Sequence, residues 1–434
     1  MANFLYMRIT QLFALAVLFV SAQSHAILTI DITKGVKAAI PIAVVPFQVT
    51  PAQTLPESIW DVVASDLARS GRFAPLAESD FLSKPTGVSD IQYKDWRLLK
   101  QNALVIGQVR QLGADQYEVS FRLMDVFNET QLVGNKYVVG AGLLRKVAHK
   151  ISDIVYEKLT GIPGAFDTKI AYVMQQGVKK SKRYFLQVSD ADGHRPITIL
   201  ESSQPIMSPA WSPKADQLAY VSFEKRRAQI YVQNLRTGKR SLVSDHPRIN
   251  SSPAWSPDGT KLAMSLSKDG NSEIYVKDLA SGKFTRLTRN GAIDTEPAWS
   301  ANGRNIIFSS GRAGKPQIYQ MSAEGGPARR VTFQGGYNAG ASFSPDGGKM
   351  VLITDTGGGF KVGIYDQVSR QIKTLTNSNL DESPTFAPNG EMILYSTIRD
   401  GKNVLSAVSV DGSVQQVLRF SSGSVKSPAW SPSL

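Results

Sequence analysis

The sequence predicts a small α/β N-terminal domain followed by an all-β six-bladed β-propeller closed by its C-terminal strand. Three observations lead there. An eight-residue motif recurs: SPAWSPKA from Ser208, SPAWSPDG from Ser252, EPAWSANG from Glu296, GASFSPDG from Gly340, SPTFAPNG from Ser383 and SPAWSPSL from Ser427. Every step is 44 residues except one of 43, so one structural unit is copied and stacked. Each unit also reads as four short strands separated by turn signals such as Pro257-Asp258-Gly259 and Ser281-Gly282, the mark of a propeller blade. Finally, three strand-like runs (169–174, 184–189 and 197–200) precede the first full unit, and a single one (428–431) follows the last. Three and one make a blade, so the final strand is expected to close the ring and remove its open edge.

The elements ahead of the repeats follow in order. Residues 1–26 combine Arg8, an apolar run over 9–20 and Ser24-His25-Ala26, which predicts a signal peptide, an exported protein and a mature chain starting at Ile27. No later stretch is long and apolar enough to cross a membrane. Residues 27–162 read as the α/β domain. A strand over 27–33 alternates apolar and polar residues, and 40–47 is a continuous apolar run expected of a strand buried on both faces. A helix is predicted over 55–70 with Gly71 as its stop, and a short one over 93–100. Strands follow over 103–112, 117–127 and 131–139, then an amphipathic helix over 143–160. On that helix His149 falls on the polar side and is expected to be solvated. A linker rich in glycine and proline (161–166) leads into the propeller, residues 163–434.

Composition limits the function. The 434 residues are 42% apolar and 20% charged, ordinary for a folded chain of two domains. There is no cysteine, which excludes disulfides, thiolate metal sites and thiol catalysis. The net charge of +13 is uneven: residues 27–165 carry 15 Lys and Arg against 14 Asp and Glu, and residues 166–434 carry 33 against 22. A basic domain can meet nucleic acid, an anionic membrane or an acidic protein, and export makes nucleic acid the poorest candidate.

In a propeller whose strands a to d run outward, the b–c and d–a loops share one face. The b–c loops hold most of the domain's excess positive charge, for instance at Lys179, Lys180, Lys182, Lys225, Arg226, Arg227, Arg312, Lys315, Arg399 and Lys402. The d–a loops are expected to hold Asp245, His246, Arg248, Asp294, Glu296, Asp381 and Glu382 nearer the axis. That is a basic rim around a mixed mouth, suited to steering a negative partner. Asp294, Glu296, Asp381 and Glu382 could hold a channel cation through oxygen ligands, or could simply be strand-start residues. The SPDG turns lie on the opposite face and read as structural, with Trp211, Trp255 and Trp299 packed between blades.

Catalytic motifs are missing. There is no G-x-S-x-G elbow, no HExxH and no phosphate loop, and His194 and His246 are isolated. The expectation is a protein that is not an enzyme and carries no cofactor. A cell-wall carbohydrate-binding or hydrolytic propeller protein is the alternative, but Tyr337 is the one obvious sugar platform on the channel face.

With these features assembled, the chain resembles the TolB family of the Tol–Pal system of Gram-negative bacteria. The likeness lies in the secretory signal, the order of domains, the junction GAFDTKIAYV (164–173), QPIMSPAWSP (204–213) and the terminal SPAWSPSL. It implies a monomeric periplasmic adaptor whose propeller binds the lipoprotein Pal by the channel-mouth face, a site some colicins borrow. Carried onto this chain, the Pal-facing residues are Met207, His246, Arg248, Ile249, Asn250, Thr295, Glu296, Asn338 and Asp381. The resemblance also implies that the N-terminal strand, Ile27, Leu28, Thr29, Ile30, Asp31, Ile32 and Thr33, is released to bind the inner-membrane protein TolA. Ile249 and the basic b–c loops are where this chain is free to depart from the family.

Overall fold

The computed structural model describes residues 28–34, 39–178, 181–420 and 423–434. The expected signal peptide, Ile27, Lys179 and Lys180 lie outside the described residues.

The small domain holds strands β2 (Ile40–Val44), β3 (Gln48–Thr50), β4 (Phe73–Pro75), β5 (Ala103–Gly113), β6 (Gln116–Asp125) and β7 (Thr130–Gly140). They form one sheet in the order β4-β2-β5-β6-β7, with β3 continuing alongside β5. Helices α1 (Ile59–Arg69) and α3 (Leu144–Thr160) cover one face; α2 (Tyr93–Leu98) lies on the other. Alternation along β2 serves both layers: Ile42 and Val44 face α1 and α3, and Ala43 and Val45 pack with Trp96 of α2. Helix α1 is shorter than the predicted 55–70. Helix α3 stops where Gly161 takes φ +75° and donates its N–H to the Glu157 carbonyl at 2.8 Å, a left-handed cap.

Six four-stranded blades follow, as the repeat predicts. The innermost strands are Ser424–Trp430 in blade 1 and Ile206–Trp211, Asn250–Trp255, Asp294–Trp299, Tyr337–Phe343 and Asp381–Phe386 in blades 2 to 6. Blade 1 is composite: Ser424–Trp430 pairs with Lys169–Gln176, followed outward by Arg183–Asp190 and Ile197–Ser202. The last strand therefore closes the ring.

The proline in each motif is tolerated because the innermost strand bulges there. Pairing shifts by one residue across Met207/Ala210, and likewise in the other five blades. The residue at the bulge takes a left-handed backbone in every blade: Ser208, Ser252, Glu296, Gly340, Ser383 and Ser427 have φ between +50° and +61°. Four serines and a glutamate in that region cost on the order of 1–3 kcal/mol each, held by the surrounding ladder.

The motif tryptophans join blades directly. Trp255 Nε1 donates to the Ala210 carbonyl at 3.1 Å, Trp299 to Ala254 at 3.0 Å and Trp211 to Ala429 at 3.0 Å. Phe343 and Phe386 keep the packing and lose the bond. The tryptophans are thus both core and inter-blade ties.

One strand goes where alternation alone does not place it. Strand β1 (Leu28–Lys34) does not join the small domain's sheet. It pairs antiparallel with the outer strand of blade 6, Leu28 opposite Phe420 and Ile30 opposite Leu418, as a fifth strand.

Candidate functional site

At the end of the channel where the b–c and d–a loops emerge lies an open cavity of about 720 Å³. Its apolar wall includes Met207, Phe223, Ile249, Tyr337, Phe360 and Leu380; charge enters through Arg227, Arg248, Lys426, Glu296 and Glu382. Tyr337 and Phe360 meet edge to face at 4.8 Å, and burial raises the Tyr337 phenol pKa, with Glu296 adding to it, so it stays protonated. Of the sequence-predicted residues, Met207, Arg248, Ile249, Asn250, Glu296 and Asp381 line this cavity. His246, Thr295 and Asn338 are not among its lining. His246 is half-buried edge-on to Phe284, its ring centroid 5.0 Å away. Burial, followed by the nearby Lys268, lowers its pKa and favours the neutral ring.

Three of those residues are spent inside the protein. Asn250, Asn338 and Asp381 are each no more than 1% exposed. Together with Asp294 they are the same position of successive repeats, the first or second residue of the innermost strand. Asn250 accepts from Ser244 Oγ at 2.6 Å and donates to the His246 carbonyl at 2.7 Å, tying down its loop. Asn338 donates to the Gln334 carbonyl at 2.7 Å, Asp294 pairs with Arg312 at 2.7 Å, and Asp381 accepts from Thr376 Oγ1. Blades 1 and 2 have buried Val425 and Ile206 in this place. Placing Asp294, Glu296, Asp381 and Glu382 in d–a loops is therefore corrected: all four lie in innermost strands.

Glu296 combines two tasks. Its carboxylate accepts from Ser309 Oγ at 2.7 Å and from the Gly340 N–H at 2.8 Å, which fixes the bulge of blade 5 from blade 4. Exposed Met207, Arg248 and Ile249 are left as the freest members of the predicted set. The sequence marks Tyr337 only as a sugar platform and gives no signal for Phe360, because nothing in the run of three glycines before it points to a cavity wall.

At the opposite end the channel opens as a second cavity of about 520 Å³, lined by the innermost strands and a–b turns of the blades. The small domain docks beside it, against blades 6 and 1. Arg72 meets Glu391 at 2.6 Å, and Gly71, at φ +68°, abuts Val414 so closely that a Cβ would lie 2.4 Å from it. The main contact is a buried ionic cluster, and here the expected solvation of His149 is corrected. His149 is 2% exposed. Its Nδ1 lies 2.7 Å from Asp66 Oδ2 on α1, and its Nε2 lies 3.7 Å from Asp192 of blade 1. Arg145 binds Glu57 at 2.6 Å and Asp192, and Arg69 binds Asp66 at 3.0 Å.

Burial lowers the His149 pKa, but the carboxylates of Asp66 and Asp192 outweigh it and the net direction is up. For Asp192 burial raises the pKa, yet Arg69, His149 and Arg145 outweigh it and hold the carboxyl at about 2. Asp153, one turn beyond His149, accepts the N–H groups of Phe166, which ends the linker, and of Asp167, and burial lifts its pKa to about 6. Among the described residues, Asp66, His149 and Asp192 are the one ligand-type group whose atoms converge, within 4.8 Å. Arg69 and Arg145 already neutralise those carboxylates, so the arrangement is an ion-pair lock.

Comparison with known proteins agrees with both halves. The TolB amino-terminal domain matches residues 28–132, and the TolB beta propeller domain matches residues 156–434. The chain belongs to the TolB family. The Tol-Pal system protein TolB of Nitrosococcus oceani is 62% identical over 427 residues, covering 98% of both chains. That of Methylococcus capsulatus is 58% identical, covering 96% of both. Among solved structures, TolB from Acinetobacter baumannii superposes with a TM-score of 0.87 at 39% identity, over 94% of this chain and all of that one. Membership makes this chain a component of the Tol–Pal system.

Proposed function

We propose that the chain is a periplasmic adaptor rather than an enzyme, binding Pal with the mouth of the propeller and TolA with its N-terminal strand. In that role it supports outer-membrane integrity and invagination during cell division. The observation that carries the reading is the contrast between the ring's two ends: one bears the small domain docked on blades 6 and 1, the other a cavity of about 720 Å³ with both apolar wall and charge. A pocket with an apolar floor and a few fixed charges suits a protein partner that inserts side chains. The TolA arm rests on β1, a strand held along one edge and so able to add to another sheet by the same backbone pairing.

Pull-down with purified Pal tests the mouth. Arg248→Glu with Ile249→Asp is expected to lower Pal affinity at least tenfold, as for loss of a charged and an apolar anchor. Unaltered Pal binding would remove the mouth from consideration. Deleting residues 27–33 is expected to abolish TolA binding while leaving Pal bound; normal TolA binding by the truncated chain would reject the strand.

A further inference from the structure

The charge asymmetry of the propeller goes beyond what a mouth-bound partner uses. Among the described residues, the twelve b–c and d–a loops carry nine Lys and Arg against four Asp and Glu, while the eleven a–b and c–d loops carry seven of each. The positive surplus of the loops thus lies on one face. Much of it stands out in solvent: Lys225, Arg226, Arg289, Lys315, Arg399 and Lys402 are exposed. Apolar tips project between these charges from different blades, with Val178 74%, Phe333 72% and Ile293 61% exposed. None of the three lines the mouth cavity. Among the described residues, the opposite end shows Val368, Ile197 and Leu434 as exposed large apolar side chains, away from any comparable excess of positive charge.

We infer that this rim is a docking surface for an anionic phospholipid bilayer. The mouth mixes signs, with Arg248 and Lys426 facing Glu296 and Glu382, as a protein partner with fixed groups requires. The rim is predominantly positive, and its charges sit on separate loops around the ring. A sheet of negative headgroups satisfies such a ring without matching it group by group, and the apolar tips enter the headgroup boundary between them. The rim thereby lays the propeller face-on to the membrane with the mouth turned toward it.

The test uses vesicles and needs no protein partner, so its failure would leave the mouth reading standing. The chain lacking residues 1–26 is sedimented with phosphatidylcholine vesicles, with or without phosphatidylglycerol, at low and physiological salt. Binding is expected only with phosphatidylglycerol, and it weakens with salt. Reversal of Lys225→Glu, Arg226→Glu and Lys315→Glu is expected to weaken binding at least about tenfold. The equal reversal at the other end, Lys239→Glu, Lys283→Glu and Arg370→Glu, is expected to change it less than about twofold. Val178→Asp with Phe333→Asp is expected to weaken it severalfold, with thermal unfolding confirming that each variant is folded. No binding to anionic vesicles, or equal loss from both triple reversals, would overturn the inference. So would soluble polyglutamate competing fully while the two apolar substitutions have no effect, which would mark an acidic-polypeptide site.

Discussion

The two ends of the propeller are built from the same repeat and behave as opposites. At one end the a–b turns are short copies of each other, the loop charges balance, and the small domain is locked on through the buried ion pair of Arg145 with Asp192. At the other, no two loops match, positive charge accumulates, and the cavity is walled by both apolar and charged side chains. The lesson is that a repeat can commit one edge of every blade to assembly and leave the other free to vary. Substitutions at the docked end should therefore cost stability, and substitutions at the mouth should cost binding.

The largest break is expected at Arg145. Arg145→Ala strands Asp192 and Glu57 without their cation and should destabilise the protein by about 3–5 kcal/mol in denaturant titration. A pH series comes next. The raised pKa of His149 means its contribution is complete below about 6.5 and lost as pH rises through the folded value. Asp153, at about 6, holds its proton more tightly when folded, so its contribution also grows as pH falls below about 6, on the order of 3 kcal/mol. Both run the same way, so the melting temperature should fall between pH 5 and pH 8, and Asp153→Asn should flatten much of that slope. Below about pH 4 the protonation of Asp192, held at about 2, reverses the trend.

A smaller effect is expected between blades. Trp255→Phe removes the donor to the Ala210 carbonyl and should cost about 1–2 kcal/mol. Smallest of all, Arg248→Glu with Ile249→Asp should move stability by no more than about 0.5 kcal/mol each while lowering Pal affinity at least about tenfold. A large loss of stability there would contradict the division between the ends.

Much of this was readable in the chain. The 44-residue step gave the blades their number, and the unequal strand counts before and after the repeats gave the closure. Strand β1 was recognisable as a strand, but its destination was not: LTIDITK alternates in a way that suits the edge of any sheet, and the choice of blade 6 depends on the folded ring. The apolar stripe of α3 places His149 on the solvent side, but that stripe marks only part of the helix's buried surface. A helix between a sheet and a second domain buries two faces. The signal was present in Arg145, His149 and Asp153, spaced four apart, a line of ionisable residues with no solvent to face. At the mouth, the 44-residue period of Asn250, Asp294 and Asn338 was itself a warning, since residues repeated with the blades serve the blades.

The placement of β1 sets an order of events in time. Its partner strand begins at Gln415, nearly 400 residues later in the chain, and that strand needs the rest of blade 6 beside it. The earliest described segment therefore cannot settle until one of the latest has been made and packed, the kind of distant pairing that forms last. A chain that has not finished its ring offers a loose strand; a finished one holds it in reserve.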